Sequence, residues 1–406
     1  MKSLFANLDT PVAIVDRKIM NNNIKNMQKR MDDLGVKFRS HAKTSKSVDV
    51  VKAQMDAGAS GITVATIAEA QMFFEQGISD IIYAIGVTPN KLKKVLELCK
   101  KGCSLKVVCD SVASATNIAE FGKLHGESFE VLIEVDSDDH RCGVKADSNE
   151  LLEIAKVLTD SGMTLAGVMT HAGSSYEFDT PEPIIALAEQ ERKLIVLAAA
   201  QLRKAGFDCP IVSLGSTPTA IYAEHLEGVT EVRAGTYVFF DLFQRNVGVC
   251  NSDDIALTVL TTVISHQVEK GWVIVDAGWM AMSRDRGTAR QKKDYAYGQV
   301  CGVQGKEIEG FLLTGTNQDH GVIEYQQGDF EGDITELFPT GSQLRIMPNH
   351  CCATGSQYCE YFVVDDGELK VWPRMQGMPR QSDANTWDSF FSNENKVSND
   401  FMTKSS

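Results

Sequence analysis

A closed (β/α)8 barrel of the TIM type, followed by an antiparallel β domain, is the fold predicted by this 406-residue sequence. Three observations lead there. Between residues 37 and about 240, eight short β-branched runs alternate with longer amphipathic stretches, several of which stop at Gly. After about residue 248 the pattern changes to strand-like runs separated by turn signals such as "QQGD" and "DDGE". No GxGxxG follows a first strand, which weighs against an open doubly wound sheet.

In chain order, the strand-like run "TPVAIVD" (10–16) comes before the barrel count begins. The barrel runs are "VKFRSHAK", "GITVAT", "DIIYAIG", "LKVVCD", "FEVLIEVD", "LAGVMTHA", "PIVSLGS" and "TEVRAG". Helical patterns such as "TIAEAQMFFEQG" and "PNKLKKVLELCKKG" separate them. Beyond residue 248, "DIALTVLTTVISHQVEKGWVIVDAG", "KEIEGFLLTGT", "GVIEYQQGD", "SQLRIMPNH" and "EYFVVDDGELKVWPRM" read as antiparallel strands. The expected division is a barrel over 10–247, a β domain over 248–385 joined by the N-terminal segment 1–16, and a polar tail over 386–406.

Composition narrows the class of function. A hydrophobic share of 43% suits ordinary globular domains. The net charge of −14 leaves no basic stripe for a nucleic-acid partner. The first residues show no apolar core with a cleavage site, and no run approaches the ~18 apolar residues of a membrane span. Ten cysteines lie at irregular spacings without a CxxC pair, a reduced-thiol pattern that points to the cytoplasm.

Barrels of this kind carry their chemistry at the C-terminal ends of the strands. Those positions hold Lys43, Asp136 to Arg141, His171, Ser216 to Thr219 ("GSTPT") and Gly235. In "KFRSHAKTSKSV", Lys37 precedes the strand and Lys46 is expected on the following helix, both as solvated charges. Lys43 is left at the mouth, either as a chemical amine or as a structural lysine with a buried stem. A mouth lysine can form a Schiff base with a carbonyl, and pyridoxal 5′-phosphate is the obvious cofactor. The hydroxyls and glycine amides of "GSTPT" and "RAGTY" suit its phosphate, although each stretch alone also reads as an ordinary turn.

"HAKTSK", "EVDSDDHRCGV", "MTHAGSSY", "GSTPTA" and "EVRAGTYVFFD" resemble, in order, the landmarks of the alanine-racemase-like (fold type III) pyridoxal phosphate enzymes. "PNHCCAT" narrows the resemblance to the branch of D-threonine aldolases and D-serine dehydratases, and the likeness spans nearly the whole chain. It implies a homodimer in which Lys43 bears the cofactor as a Schiff base and moves the Cα proton. It further implies that Arg141 lies by the phenolic oxygen, His171 packs near the ring and Arg233 faces the pyridine nitrogen. Ser216, Thr217, Gly235 and Thr236 would hold the phosphate. Ser40 and Ser45 stand where many relatives carry Pro and a second His, and "GTNQDHG" replaces the more usual "SEEHG". These departures bear on substrate choice and leave the cofactor assignment in place.

His350 and Cys352 are two positions apart after the strand-like "SQLRIM". If the strand persists, their side chains share one face. Imidazole and thiolate are good zinc ligands, and two protein ligands leave positions open for substrate and water. The resemblance implies a divalent metal there (Zn, Mn, Co or Mg), with Cys351 as a structural thiol on the other face. It implies a lyase that removes water from a D-configured 3-hydroxy amino acid and releases a 2-oxo acid and ammonia. D-threo-3-hydroxyaspartate, giving oxaloacetate, is the substrate expected, with D-serine a second one. A metal on the β-oxygen would stabilise the departing hydroxide.

A retro-aldol cleavage to glycine and an aldehyde uses the same parts, so the aldolase reading stays open. A racemase would give the metal pair no purpose, and a non-catalytic cofactor carrier on the same barrel would have no second domain. A distal carboxylate on the substrate calls for a dedicated cation. "SRDRGTARQKK" (283–293) is the dense basic stretch of this acidic chain, so Arg284, Arg286 or Arg290 is expected to read that carboxylate, unless the stretch is a solvated loop.

Overall fold

The computed structural model describes residues 4–375, so the tail expected at 386–406 and the last residues expected for the β domain lie outside the described part. The first strand, β1 (Val12–Asp16), leads straight into the helix Arg17–Asp33, whose first turn is capped by the Asp16 carboxylate accepting from Ile19 N. Eight parallel strands then close on themselves: β2 (Lys37–His41), β3 (Ile62–Val64), β4 (Asp80–Gly86), β5 (Ser104–Cys109), β6 (Glu130–Asp136), β8 (Thr164–Met169), β9 (Ile211–Leu214) and β10 (Glu231–Ala234). The β5–β6 pairing completes the ring, and the two-residue β7 (Val144–Lys145) adds to β6.

Alternation along the strands sorts the side chains. Phe38, Ile81, Tyr83, Val107, Val131, Ile133, Val212 and Val232 belong to the large core that also takes in the surrounding helices. Their alternates Ile82, Val108, Leu132, Ala166 and Met169 form a separate small cluster, the apolar plug of the barrel. Below the plug, buried Arg39 bridges Glu231 at 3.0 Å and Asp80 at 3.1 Å, and Lys106 reaches Asp80 at 3.1 Å. Paired charges close that end, so the open end is where chemistry can occur.

The second sheet contains β11 (Leu257–Gln267), β12 (Trp272–Val275), β13 (Gly298–Cys301), β14 (Glu307–Thr316), β15 (Gly321–Tyr325), β16 (Gln343–Pro348), β17 (Glu360–Asp365) and β18 (Glu368–Pro373). Six of these close in the order β11-β16-β13-β14-β15-β12 around Val259, Val275, Val300, Phe311, Leu313, Ile323 and Ile346. The long β11 has room on one edge for two partners, β12 towards its end and β1 at its start. β1 therefore lies in the middle of this sheet, antiparallel to β11 and parallel to β17, although it precedes the barrel in the chain. Tyr361 and Val363 of β17 belong to the barrel's large core, which joins the two sheets.

Candidate active site

Lys43 stands two residues beyond the end of β2, with its side chain open to the mouth of the barrel. Loss of solvation among the surrounding groups lowers its ammonium pKa, and Arg141 and Arg233 push the same way against Cys352 and Glu69. Its loop is held from several directions. Tyr361 donates its hydroxyl to Ser45 O at 2.9 Å, and Met375 N donates to Lys46 O at 2.9 Å. Lys46 departs from expectation. It lies in the loop before the helix Val48–Asp56, at φ 47°, and its mostly buried ammonium pairs with fully buried Glu69 at 3.1 Å. Lys37 is exposed, as expected.

The other strand-end residues meet around Lys43. His171 Nδ1 donates to Gly215 O at 2.9 Å, since a carbonyl can only accept. Burial, reinforced by Arg141, lowers its pKa to about 3, so the imidazole is neutral. Buried Arg233 donates to Ser213 Oγ at 2.5 Å and to Thr170 O at 2.5 Å. Glu191, also buried, accepts from Ala172 N and Gly215 N. Arg141 is exposed and lies 4.0 Å from Glu134.

At the expected phosphate site, Thr236 Oγ1 donates to Thr217 Oγ1 at 2.9 Å. Ser216 also serves the fold: its hydroxyl caps the short helix Thr217–Tyr222 through Thr219 N at 3.2 Å and meets Ser175 Oγ at 2.8 Å. Gly215, at φ 127°, brings the chain so close that a Cβ would stand 2.5 Å from Arg233 O. Tyr176 is a residue the sequence reading missed. Its buried hydroxyl bonds the Thr217 backbone and the Thr236 side chain, and its ring lies 6.3 Å from His171. The only sequence signal was its place in "MTHAGSSY", five residues after His171.

The expected strand does not continue through His350 and Cys352. β16 ends at Pro348, His350 immediately precedes the short helix Cys351–Gly355, and Cys352 lies in that helix's first turn. Asn349 makes the break, because its side chain donates to Ala296 O at 2.5 Å and accepts from Thr288 Oγ1 at 3.0 Å. Cys351 N donates to Asp241 Oδ2 at 2.9 Å, and Cys351 itself is buried. The turn still brings the pair together. His350 Nδ1 is bonded to Asp285 Oδ2 at 2.6 Å, so the ring's hydrogen bond to Cys352 falls to Nε2.

Hydrogen bonding from Cys351, with the charge and hydrogen bond of His350, holds the Cys352 thiol well below its usual range. Burial alone would lower the His350 pKa, but Cys352 and Asp285 carry it well above the usual value. An imidazole nitrogen and a thiolate facing each other, with a carboxylate fixing the far ring nitrogen, form a donor set that fits a borderline divalent metal. No cluster of three or more His, Cys, Asp and Glu ligands occurs among the described residues, so such a metal would keep open positions. The mouth fits pyridoxal phosphate on equally local grounds: an amine of lowered pKa, a neutral imidazole, and paired threonine hydroxyls that can face an anion.

Of the three expected substrate arginines, Arg286 is committed to Asp294 at 2.8 Å and lies over the Tyr297 ring. Arg284 is exposed over the Trp279 ring at 4.3 Å, and Arg290 is exposed. The residue of that stretch that turns towards His350 is the acid between Arg284 and Arg286, Asp285.

The family model described as alanine racemase, N-terminal domain, matches residues 15–242, and a serine dehydratase domain model matches residues 256–364. The chain is 57% identical over 379 residues to the D-threo-3-hydroxyaspartate dehydratase of Delftia sp. (strain HT23), covering 93% of this chain and 100% of that protein. The D-serine dehydratase of Dictyostelium discoideum is 27% identical, covering 89% of this chain and 94% of its own. The D-threonine aldolase of an Arthrobacter species is 28% identical, with 90% and 92% covered. A cysteine-to-alanine variant of D-threo-3-hydroxyaspartate dehydratase, solved in a metal-free form, superposes with a TM-score of 0.91 at 57% identity over 93% of this chain and 100% of that one.

Proposed function

This chain belongs to the alanine-racemase-like family of D-serine dehydratases and D-threonine aldolases, and from that membership we propose that it is a pyridoxal-phosphate- and metal-dependent lyase converting D-threo-3-hydroxyaspartate to oxaloacetate and ammonia, with D-serine as a second substrate. The observation that carries the reading is the His350–Cys352 pair, which borders the Lys43 loop through the Cys352–Thr44 contact at 3.4 Å. An amine that can take a proton from Cα and a site that can hold a Lewis acid for the β-oxygen are thereby neighbours.

Lys43, Arg141, His171, Ser216, Thr217, Arg233, Gly235 and Thr236 would hold pyridoxal phosphate, which supplies an electron sink for the bond broken at Cα. His350 and Cys352 would hold zinc, manganese, cobalt or magnesium, which supplies charge stabilisation at the departing hydroxyl. Zinc is the metal their nitrogen and sulfur donors suit best. Lys43, its ammonium pKa lowered by loss of solvation among the groups at the mouth, moves the Cα proton. His171 stays neutral and so adds no second positive charge beside Lys43. Water leaves from the substrate and water is taken up when the released enamine, as its imine tautomer, hydrolyses. The net products are therefore oxaloacetate and ammonia.

Arg284 and Arg290, whose guanidinium groups remain exposed, are the stronger candidates for the distal carboxylate, with Arg286 bound to Asp294. Alanine at each, with turnover of 3-hydroxyaspartate compared with that of D-serine, tests this. A homodimer belongs to the same reading, on the strength of the family resemblance, and sedimentation velocity tests it. All ten cysteines are unpaired, which supports a reducing, cytoplasmic setting, and no helix among the described residues is long and apolar enough to cross a membrane.

Product identification from D-threo-3-hydroxyaspartate, with and without EDTA, tests the whole reading. Oxaloacetate and ammonia that disappear on chelation are expected. Glycine and glyoxylate would make the enzyme an aldolase instead.

A further inference from the structure

Thr44 is where the cofactor lysine and the candidate metal pair meet. It follows Lys43 directly and is fully buried, and its hydroxyl lies 3.4 Å from Cys352 Sγ. A buried hydroxyl requires a partner, and among the described residues the Thr44 side chain has no other. Its place is built from the far side as well. A Cβ at Gly235 would stand 2.9 Å from Thr44 Oγ1 and 3.2 Å from His41 Cβ, so any side chain there would force the hydroxyl to move. The flanking loop is fixed by Tyr361 on Ser45 and by Glu69 on Lys46. The sulfur is fixed by the turn that Asn349 and Asp241 hold.

In the structure Cys352 Sγ donates to Thr44 Oγ1 at 3.4 Å; once the sulfur holds a metal as a thiolate it has no proton left to give, and the hydroxyl becomes the donor. We propose that Thr44 is a positioning residue: by donating its hydroxyl proton to Cys352 Sγ it draws electron density from the thiolate and strengthens the Lewis acidity of the divalent metal which that sulfur holds. The residue beside the lysine that moves the Cα proton thereby tunes the group that acts on the β-oxygen. This rests on the reading of His350 and Cys352 as metal ligands, and the test separates the two.

Cobalt(II) restored to the metal-free, cofactor-loaded enzyme reports on the sulfur directly, in the difference spectrum between cobalt-loaded and metal-free protein. The wild type is expected to show a sulfur-to-cobalt charge-transfer band that Cys352→Ala abolishes. Thr44→Val should move that band to longer wavelength, because a thiolate without its hydrogen bond gives up electrons more readily. Thr44→Ser, which keeps the donor, should leave it in place. In the zinc enzyme, kcat of Thr44→Val should fall roughly tenfold while KM changes little. If Thr44→Val does not fold, Thr44→Ala serves the same comparison. A band unmoved by loss of the hydroxyl overturns the role of Thr44 and leaves the metal site standing. A wild type without the band, or a band that survives Cys352→Ala, overturns the metal reading and the proposal with it.

Discussion

Asp285 acts on His350 at the far ring nitrogen, 2.6 Å away, and so sets which nitrogen faces Cys352. Asp285→Asn keeps the size and removes the charge. Metal affinity, read by competition with a chelator, should fall about 10–100-fold while the unfolding midpoint of the metal-free protein stays near the wild-type value. His171 makes a prediction of a different kind. Its pKa is lowered from 6.5 to about 3 in the folded chain, chiefly by burial, so the unfolded chain binds the proton first as pH falls. The stability it contributes is complete above 6.5 and is lost on stepping down towards 3, where urea midpoints should drop; His171→Asn should flatten that slope. Lys43 and His171 were legible because a strand end is a position the sequence marks. Asp285 was not, because a lone acid among arginines looks like a solvated counter-charge until His350, 65 residues later, is brought against it.

The loop from Ala42 to Ser47 joins the barrel to the second sheet, and its stability should depend on both. Glu69→Gln leaves the Lys46 ammonium without its counter-charge in a mostly buried setting, which costs about 3–5 kcal/mol. Tyr361→Phe removes a hydroxyl that bonds Ser45 O and accepts from Arg374 Nε at 2.9 Å, a loss of about 1–3 kcal/mol. Urea denaturation measures both, and retention of cofactor through a desalting column shows whether the Lys43 loop moves with them. All eight barrel strands could be read from apolar runs, because strands buried on both faces inside a layer of helices leave short, nearly continuous apolar stretches. The same logic failed at His350 and Cys352. Two-residue spacing suggested a strand face, whereas Asn349 and Asp241 bend the chain into a helical turn through contacts more than 50 residues away in sequence. Lys46 failed for the same reason, since nothing near it in the chain announces Glu69.

Taken whole, the molecule keeps its two sheets together by lending the second one the chain's first strand. β1 is flanked on both sides, by β11 and by β17, so removing residues 1–16 opens the sheet in its middle rather than trimming an edge. Such a truncation should give insoluble protein although every barrel strand is retained, checked by soluble yield and far-UV circular dichroism. EDTA should do the opposite, ending turnover while leaving the circular dichroism spectrum unchanged, because His350 and Cys352 sit on a turn already fixed by protein contacts. The placing of β1 also sets a timetable on the ribosome. Val15 pairs with Val363, so the strand made among the first residues has no parallel neighbour until almost the entire chain has been translated. At about 5–20 residues per second that wait is on the order of tens of seconds. Throughout it Ala13, Ile14 and Val15, all fully buried in the finished protein, are exposed on the nascent chain, a natural foothold for a chaperone.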